Sequence, residues 1–341
     1  MNELERRLAA RIRRHGPIPF DEVVEAALYD PEHGFYATTG RAGRRTGDFI
    51  TSPEVGPLFG AVIARALDTW WQELDRPDPY VVIEAGAGAG TLARAVLAAE
   101  PESEAALEYV LVERPAVLRA HHGGLTSRAE FPPVDGPCVV LANELLDNLP
   151  FGLAERRDGV WHDVVVDVDG DRLVERLGPA SGLEARAFEA PDGARIPVQG
   201  AAMAWLTDAL AVAHGGRVVV IDFADNTASM ARRPWTEWLR TYRAHGRGDH
   251  PLVQLGTQDI TVEVAVDHLA AIRPPDHDRT QAEFLAAHGI DGLVADGRRI
   301  WAERAHLGDL AAVRARSRVT EAAALTDPAG LGAFRVLEWV G

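Results

Sequence analysis

The chain has 341 residues and a formal charge of −16, and it contains no lysine, so arginine and histidine supply every basic side chain. The acidic balance argues against broad electrostatic binding to nucleic acid. The missing lysine excludes a Walker-A, Schiff-base or kinase-type lysine, and no apolar run is long enough to cross a bilayer. With Cys138 as the single cysteine, no intramolecular disulfide can form, which fits a reducing compartment such as the cytoplasm.

At the N-terminus, Leu4, Leu8 and Ile12 share one helical face among Arg6, Arg7, Arg11, Arg13 and Arg14. Glu3 and Glu5 count against a mitochondrial presequence, and a docking helix is the expected reading. Gly16-Pro17-Ile18-Pro19 then re-aims the chain into a second helix over residues 20–28. Ser52 and Pro53 are the expected N-cap and first position of a helix. Val62, Ile63, Ala66, Leu67, Trp70, Trp71 and Leu74 carry helical periodicity toward Pro77. The two tryptophans read as core packing.

The most informative stretch is Tyr80-Val81-Val82-Ile83-Glu84-Ala85-Gly86-Ala87-Gly88-Ala89-Gly90-Thr91-Leu92. Its β-branched run has the composition of a buried parallel strand. The glycines permit a tight turn and close approach of a ligand, and the residues from Thr91 read as a helix. An acid ends the strand, and the spacing is G-x-G-x-G. In the dinucleotide fingerprint the strand runs apolar into the first glycine and the third glycine comes later. The pattern here resembles motif I of the class I S-adenosylmethionine (SAM) methyltransferases, in which Glu84 would suit the cationic methionine end of SAM. Tyr109-Val110-Leu111-Val112-Glu113 is a second strand, with its terminal acid about twenty residues beyond the last glycine. That is where a ribose-binding carboxylate is expected, since one carboxylate can accept from both hydroxyls.

Further along, Cys138-Val139-Val140-Leu141-Ala142 reads as a buried strand leading into Asn143-Glu144-Leu145-Leu146-Asp147. Residues 151–178 read as hairpin material around the turn Asp169-Gly170-Asp171. A helix over residues 203–213 precedes a core strand over 217–223. After a polar, tryptophan-containing stretch, Thr280-Gln281-Ala282-Glu283-Phe284-Leu285 opens another helix, and Phe334 to Val340 closes the chain as a strand. This alternation predicts a doubly wound α/β sheet.

The chain also resembles the MidA family of SAM-dependent methyltransferases. The resemblance is carried by Gly47-Asp48-Phe49-Ile50-Thr51-Ser52-Pro53-Glu54-Val55, the glycine motif, Glu113, and Asn143-Glu144-Leu145-Leu146-Asp147-Asn148-Leu149-Pro150. It continues through Arg240-Thr241-Tyr242-Arg243-Ala244-His245, Gly256-Thr257-Gln258-Asp259-Ile260-Thr261 and the stretch from Thr280. The resemblance implies a Rossmann-like, seven-stranded sheet with an antiparallel last strand. It implies one elaborated domain over residues 1–341: a helical cap at 1–75, a core at 78–150 and 198–341 with a substrate-side insertion around 225–275, and a hairpin insertion at 151–197. Mitochondrial relatives in this family assist respiratory complex I assembly and methylate a subunit arginine. Two departures stand near the expected site: Ala87 replaces a usual proline, and Asp222-Phe223-Ala224 replaces Asp-Tyr-Gly.

The implied cofactor is SAM, with S-adenosylhomocysteine as product. Gly86, Gly88 and Gly90 would hold the methionine part, Glu113 the ribose, and Asn143 the boundary with the acceptor. Glu144 and Asp147, at i, i+3, could face one cleft, bind a guanidinium bidentately and take the released proton. Alternatively, one of them braces the helix. His245, His250 and Asp276-His277-Asp278 match no metal-ligand spacing, so no metal is expected. The leading function is methylation of a protein arginine. The alternatives are a small-molecule methyltransferase and a SAM-binding assembly protein, whereas Glu84 and the glycine spacing disfavour a nicotinamide-dependent oxidoreductase. No nucleic-acid or membrane partner is expected, and the oligomeric state stays open.

Overall fold

In the computed structural model, which describes residues 1–39, 51–182, 189–243 and 246–341, the apolar runs assemble into one seven-stranded sheet. Its strands are β1 (Tyr80–Ala85), β2 (Leu107–Val112), β3 (Thr126–Arg128), β4 (Val139–Asn143), β5 (Arg217–Asp222), β6 (His277–Thr280) and β7 (Arg335–Val340). They lie in the order β6-β7-β5-β4-β1-β2-β3. Strand β7 runs antiparallel to β5 and β6, while β1 to β5 are mutually parallel. Central strands read as unbroken apolar runs because both faces are covered. Val82, Leu111, Leu141 and Val219 pack on one side with helices Pro57–Glu73 and Thr91–Leu97, joined by residues of Gln281–Ala287. Ile83, Val140, Val218 and Val220 pack on the other with helix Gly200–Ala213. The sheet is doubly wound, with the antiparallel last strand implied by the resemblance.

The helix expected to start with Ser52 begins one residue earlier. Thr51 is the N-cap of the short helix Ser52–Val55, and Glu54 completes a capping box; Gly56 then precedes the long helix Pro57–Glu73. Two hydroxyl residues in succession make the cap ambiguous in sequence, and the acid three residues after Thr51 decides it.

Residues 1–75 divide their packing. Helices Glu3–His15 and Phe20–Tyr29 bury Leu4, Leu8, Ile12, Phe20 and Val24 in a separate core with Leu153, Val164 and Val166 of the hairpin insertion. Strands Gly152–Arg157, Val160–Asp169, Arg172–Ala180 and Arg195–Val198 join Ile18–Pro19 in a five-stranded sheet beneath them. The first helix is closed by an Asn2–Glu5 capping box, and Leu255 N–H donates to Glu5 Oε1 at 3.2 Å. Helix Pro57–Glu73 instead belongs to the core of the central sheet.

Gly60 shows how closely that helix is seated. A Cβ at this position would lie 2.3 Å from the Cβ of Ala95 on the helix that follows the glycine loop. Gly60→Ala should therefore destabilise the fold by about 1–3 kcal/mol, the scale of overpacking a filled interface. Denaturant titration measures this, and an unchanged midpoint would mean that the two helices separate freely.

Candidate cofactor and acceptor site

The sheet order reverses between β1 and β4, and ligands of such folds bind beyond the carboxyl ends of the strands at that point. The glycine loop lies there. Gly86, Gly88 and Gly90 have φ of 68°, 53° and 77°, the left-handed region open to glycine. Gly86 is further constrained, since a Cβ on it would come within 2.8 Å of the Leu145 side chain. Glu113 follows β2 directly, and its Oε2 accepts the Gly88 N–H at 2.7 Å. Burial pushes its pKa up to about 7, against hydrogen bonds from the backbone of Gly88 and Arg114. Gly86 and Glu113 line a cavity of about 550 Å³ with Phe131, Leu145, Leu149 and Trp205. That volume suits a cofactor-sized ligand.

Glu84, expected at the methionine end of the cofactor, is seated in the protein interior at the end of β1. It is 4% exposed, accepts from the Tyr109 hydroxyl at 2.8 Å, and does not line the cavity. Strand alternation is the reason: Ala85 faces the cavity, and Glu84 shares the opposite face with Val82. Burial drives its pKa up to about 8, and the Tyr109 hydroxyl partly opposes that rise.

The second half of the site follows β4. Glu144 and Asp147 do not stand on a helix at i, i+3. Glu144 has φ of 52°, and a single 3-10 turn, Leu146–Asn148, comes after it. The turn still brings both carboxylates into one cluster. Glu144 Oε1 accepts from the Ser52 N–H at 2.9 Å and from Asn143 Nδ2 at 3.1 Å. Asp222, at the end of β5, accepts from the backbone of Leu146 at 2.9 Å and of Asp147 at 3.3 Å. Asp259 accepts from the Tyr36 hydroxyl at 3.0 Å and from Asn148 Nδ2 at 3.2 Å. Burial, then repulsion from Asp222, Glu144 and Asp259, raises the Asp147 pKa well above the usual carboxylate range. Glu144 is pushed up to about 8 and Asp222 to about 7, in both cases first by burial. Asn143 Oδ1 and Asp147 Oδ1 are buried acceptors with no donor among the described residues. Each is an acceptor open to a donor from a bound ligand.

Asp222 and Asp259 were not singled out as site residues. Both stood within stretches noted in the sequence, but no local spacing connects them to Asp147. Gly47 to Ile50, Ala244 and His245 lie outside the described residues. His250 pairs with Glu175 at 3.3 Å, and Asp278 pairs with Arg335. Among the described residues, no group of three or more His, Cys, Asp or Glu side chains is arranged to hold a metal.

A seven-stranded sheet in this order, with a glycine loop at its switch point and an acid after β2, defines the class I methyltransferase architecture. The chain belongs to the MidA-type family of S-adenosyl-L-methionine-dependent methyltransferases, whose family model matches residues 62–280. A crystal structure of a COG1565 superfamily member from Burkholderia thailandensis, bound to S-adenosyl-homocysteine, superposes with a TM-score of 0.85 at 25% identity. The match covers 99% of this chain and 92% of that one. Among curated relatives, the mitochondrial protein arginine methyltransferase NDUFAF7 homolog of Drosophila melanogaster is 27% identical, over 79% of this chain and 70% of its own length. The Mus musculus protein arginine methyltransferase NDUFAF7 is 26% identical, over 84% and 74%. The protein is a SAM-dependent methyltransferase, as the glycine spacing and Glu113 led one to expect.

Proposed function

We propose that this protein methylates an arginine side chain of a protein acceptor. The carboxylate cluster of Glu144, Asp147, Asp222 and Asp259 beyond β4 and β5 carries the reading. Buried carboxylates that repel one another are costly unless a cation offsets them. Among the described residues, Glu144 and Asp222 accept hydrogen bonds, Asp147 Oδ1 has no donor, and none of the three forms an ion pair. A guanidinium has the charge and the forked donors to bridge two of them. The relatives named as protein arginine methyltransferases support the same acceptor.

SAM supplies an electrophilic methyl group, and its sulfur keeps the bonding pair as the S–CH₃ bond breaks and N–CH₃ forms. Within this chain, Glu113 holds the ribose, the glycine loop the methionine part, and Asn143 the boundary between donor and acceptor. Glu144 and Asp147 orient the guanidinium, and one of them receives the proton that the attacking nitrogen loses. Positioning and exclusion of water supply most of the acceleration in such a displacement.

A second reading is a small cationic acceptor. Phe223, which stands where the family usually has tyrosine, packs under the Arg240 guanidinium at 4.5 Å and beside Phe334, so the acceptor wall differs there. Incubation with methyl-labelled SAM and cell extract, followed by size fractionation, separates the two. Label in protein is expected; label confined to small molecules would favour the second reading.

The raised carboxyl pKa values also set a pH dependence. A cation binds the ionised cluster, so protons held by Glu144 (about 8) and Asp222 (about 7) must leave on binding. The acceptor KM should therefore fall as pH rises from about 6 to 9, across which arginine itself does not titrate. Steady-state kinetics at saturating SAM measures this, and a flat profile would remove these carboxylates from acceptor binding.

A further inference from the structure

The backbone of Gly88 is held on both sides of its Cα. Its N–H donates to Glu113 Oε2 at 2.7 Å, and its carbonyl oxygen lies 2.9 Å from Nε2 of His122. A carbonyl only accepts, so Nε2 carries the proton. Nδ1 is then the bare nitrogen and accepts from the Ser127 hydroxyl at 2.8 Å. The residue is 2% exposed, and burial, followed by the nearby Arg94 and Arg119, holds its pKa below the usual value. A neutral ring matches this tautomer. His122 thereby ties β3, through Ser127, to the middle of the glycine loop. No motif in the sequence marked it: it stands beside His121 in a short turn, and its partner is a backbone atom 34 residues away.

We infer that His122 is a positioning residue for the cofactor, holding the Gly88 carbonyl so that the loop and the Glu113 carboxylate keep one geometry. It does not touch the reacting atoms. The inference rests on the reading of the glycine loop and Glu113 as the cofactor site. Glutamine at this position presents an amide donor at about the reach of the imidazole Nε2. Alanine removes the donor, and leucine removes it while filling most of the space.

The test is calorimetric titration of the full chain with S-adenosylhomocysteine, alongside melting curves. His122→Ala and His122→Leu should bind about tenfold or more weakly, the scale of one lost hydrogen bond to a loop that must be ordered. His122→Gln should stay within about threefold of the parent on the same basis. Parent-like affinity in the alanine and leucine variants would overturn the inference, as would a glutamine variant as weak as alanine. Glu113→Ala serves as the control: if it too binds normally, the cofactor-site reading fails, whereas a weak Glu113→Ala beside a normal His122→Ala rejects only the role of the histidine. Nitrogen NMR of the imidazole gives a check that needs no variant. A proton on Nε2 is expected, and a proton on Nδ1 would overturn the inference.

Discussion

Replacing Glu144 by glutamine or Asp147 by asparagine should slow methyl transfer by about 10²-fold or more, the usual range for a positioned acid–base group. SAM affinity should hardly change, because the cavity is lined by Gly86, Glu113 and their neighbours rather than by these two side chains. The same variants should be more stable than the parent. Both folded-state pKa values lie above the unfolded ones, so the folded chain holds protons that the unfolded chain has released. The cluster therefore destabilises the fold increasingly as pH rises above the unfolded carboxylate pKa, and fully above the folded one. An amide removes that cost. Glutamine at 144 can also keep both existing hydrogen bonds, since Ser52 and Asn143 donate to the same oxygen. A rise in Tm of about 2–4 °C per variant at pH 8 is the expected scale for roughly 1 kcal/mol. Loss of activity together with gain of stability marks a group kept for chemistry. A variant that folds, binds SAM and transfers methyl at the parental rate would remove that residue from the mechanism.

Glu113→Ala should weaken SAM binding by about 1–3 kcal/mol, the cost of removing hydrogen bonds to a charged acceptor. Two effects combine in this figure. On the proposed role of Glu113 the ribose loses its carboxylate, and the Gly88 N–H loses its acceptor. Glu113→Gln separates them, because its amide oxygen can still accept from Gly88 while the charge is gone. An intermediate affinity is expected for it. Affinity within error of the parent for the alanine variant would mean that another residue holds the ribose.

The parts of this protein that were legible in sequence are those where one side-chain pattern has one structural solution. The runs at 80–83, 139–142 and 218–221 are apolar without interruption, and strands covered on both faces use such runs. The glycine spacing fixed the position of the cofactor loop for the same reason, since all three glycines need left-handed φ. The position of Glu113 at the end of β2, beside the glycine loop, was readable because its distance from the glycines follows from the length of one helix crossover. The burial of Glu84 against the Tyr109 hydroxyl follows from strand alternation, which the apolar residues before it, buried on both faces, conceal. For Glu144 and Asp147 the local geometry was misjudged: i, i+3 spacing fits a helix, but the left-handed residue 144 and a 3-10 turn replace it. Asp259 reaches the cluster from the three-stranded sheet of Leu239–Arg243, Gly246–Arg247 and Asp259–Val262, more than a hundred residues beyond Asp147. Helices Ile290–Arg304 and Leu310–Leu325 were not read at all, for their surfaces are rich in alanine and arginine and carry weak apolar periodicity.

The most direct test is to let the protein act on a cell extract with methyl-labelled SAM, hydrolyse the labelled protein fraction completely, and identify the labelled amino acid. Methylarginine is expected, with label falling about 10²-fold in reactions run with Glu144→Gln or Asp147→Asn. Label recovered in another residue, or methylarginine formed undiminished by both variants, would contradict the assignment of an arginine acceptor held by this carboxylate cluster.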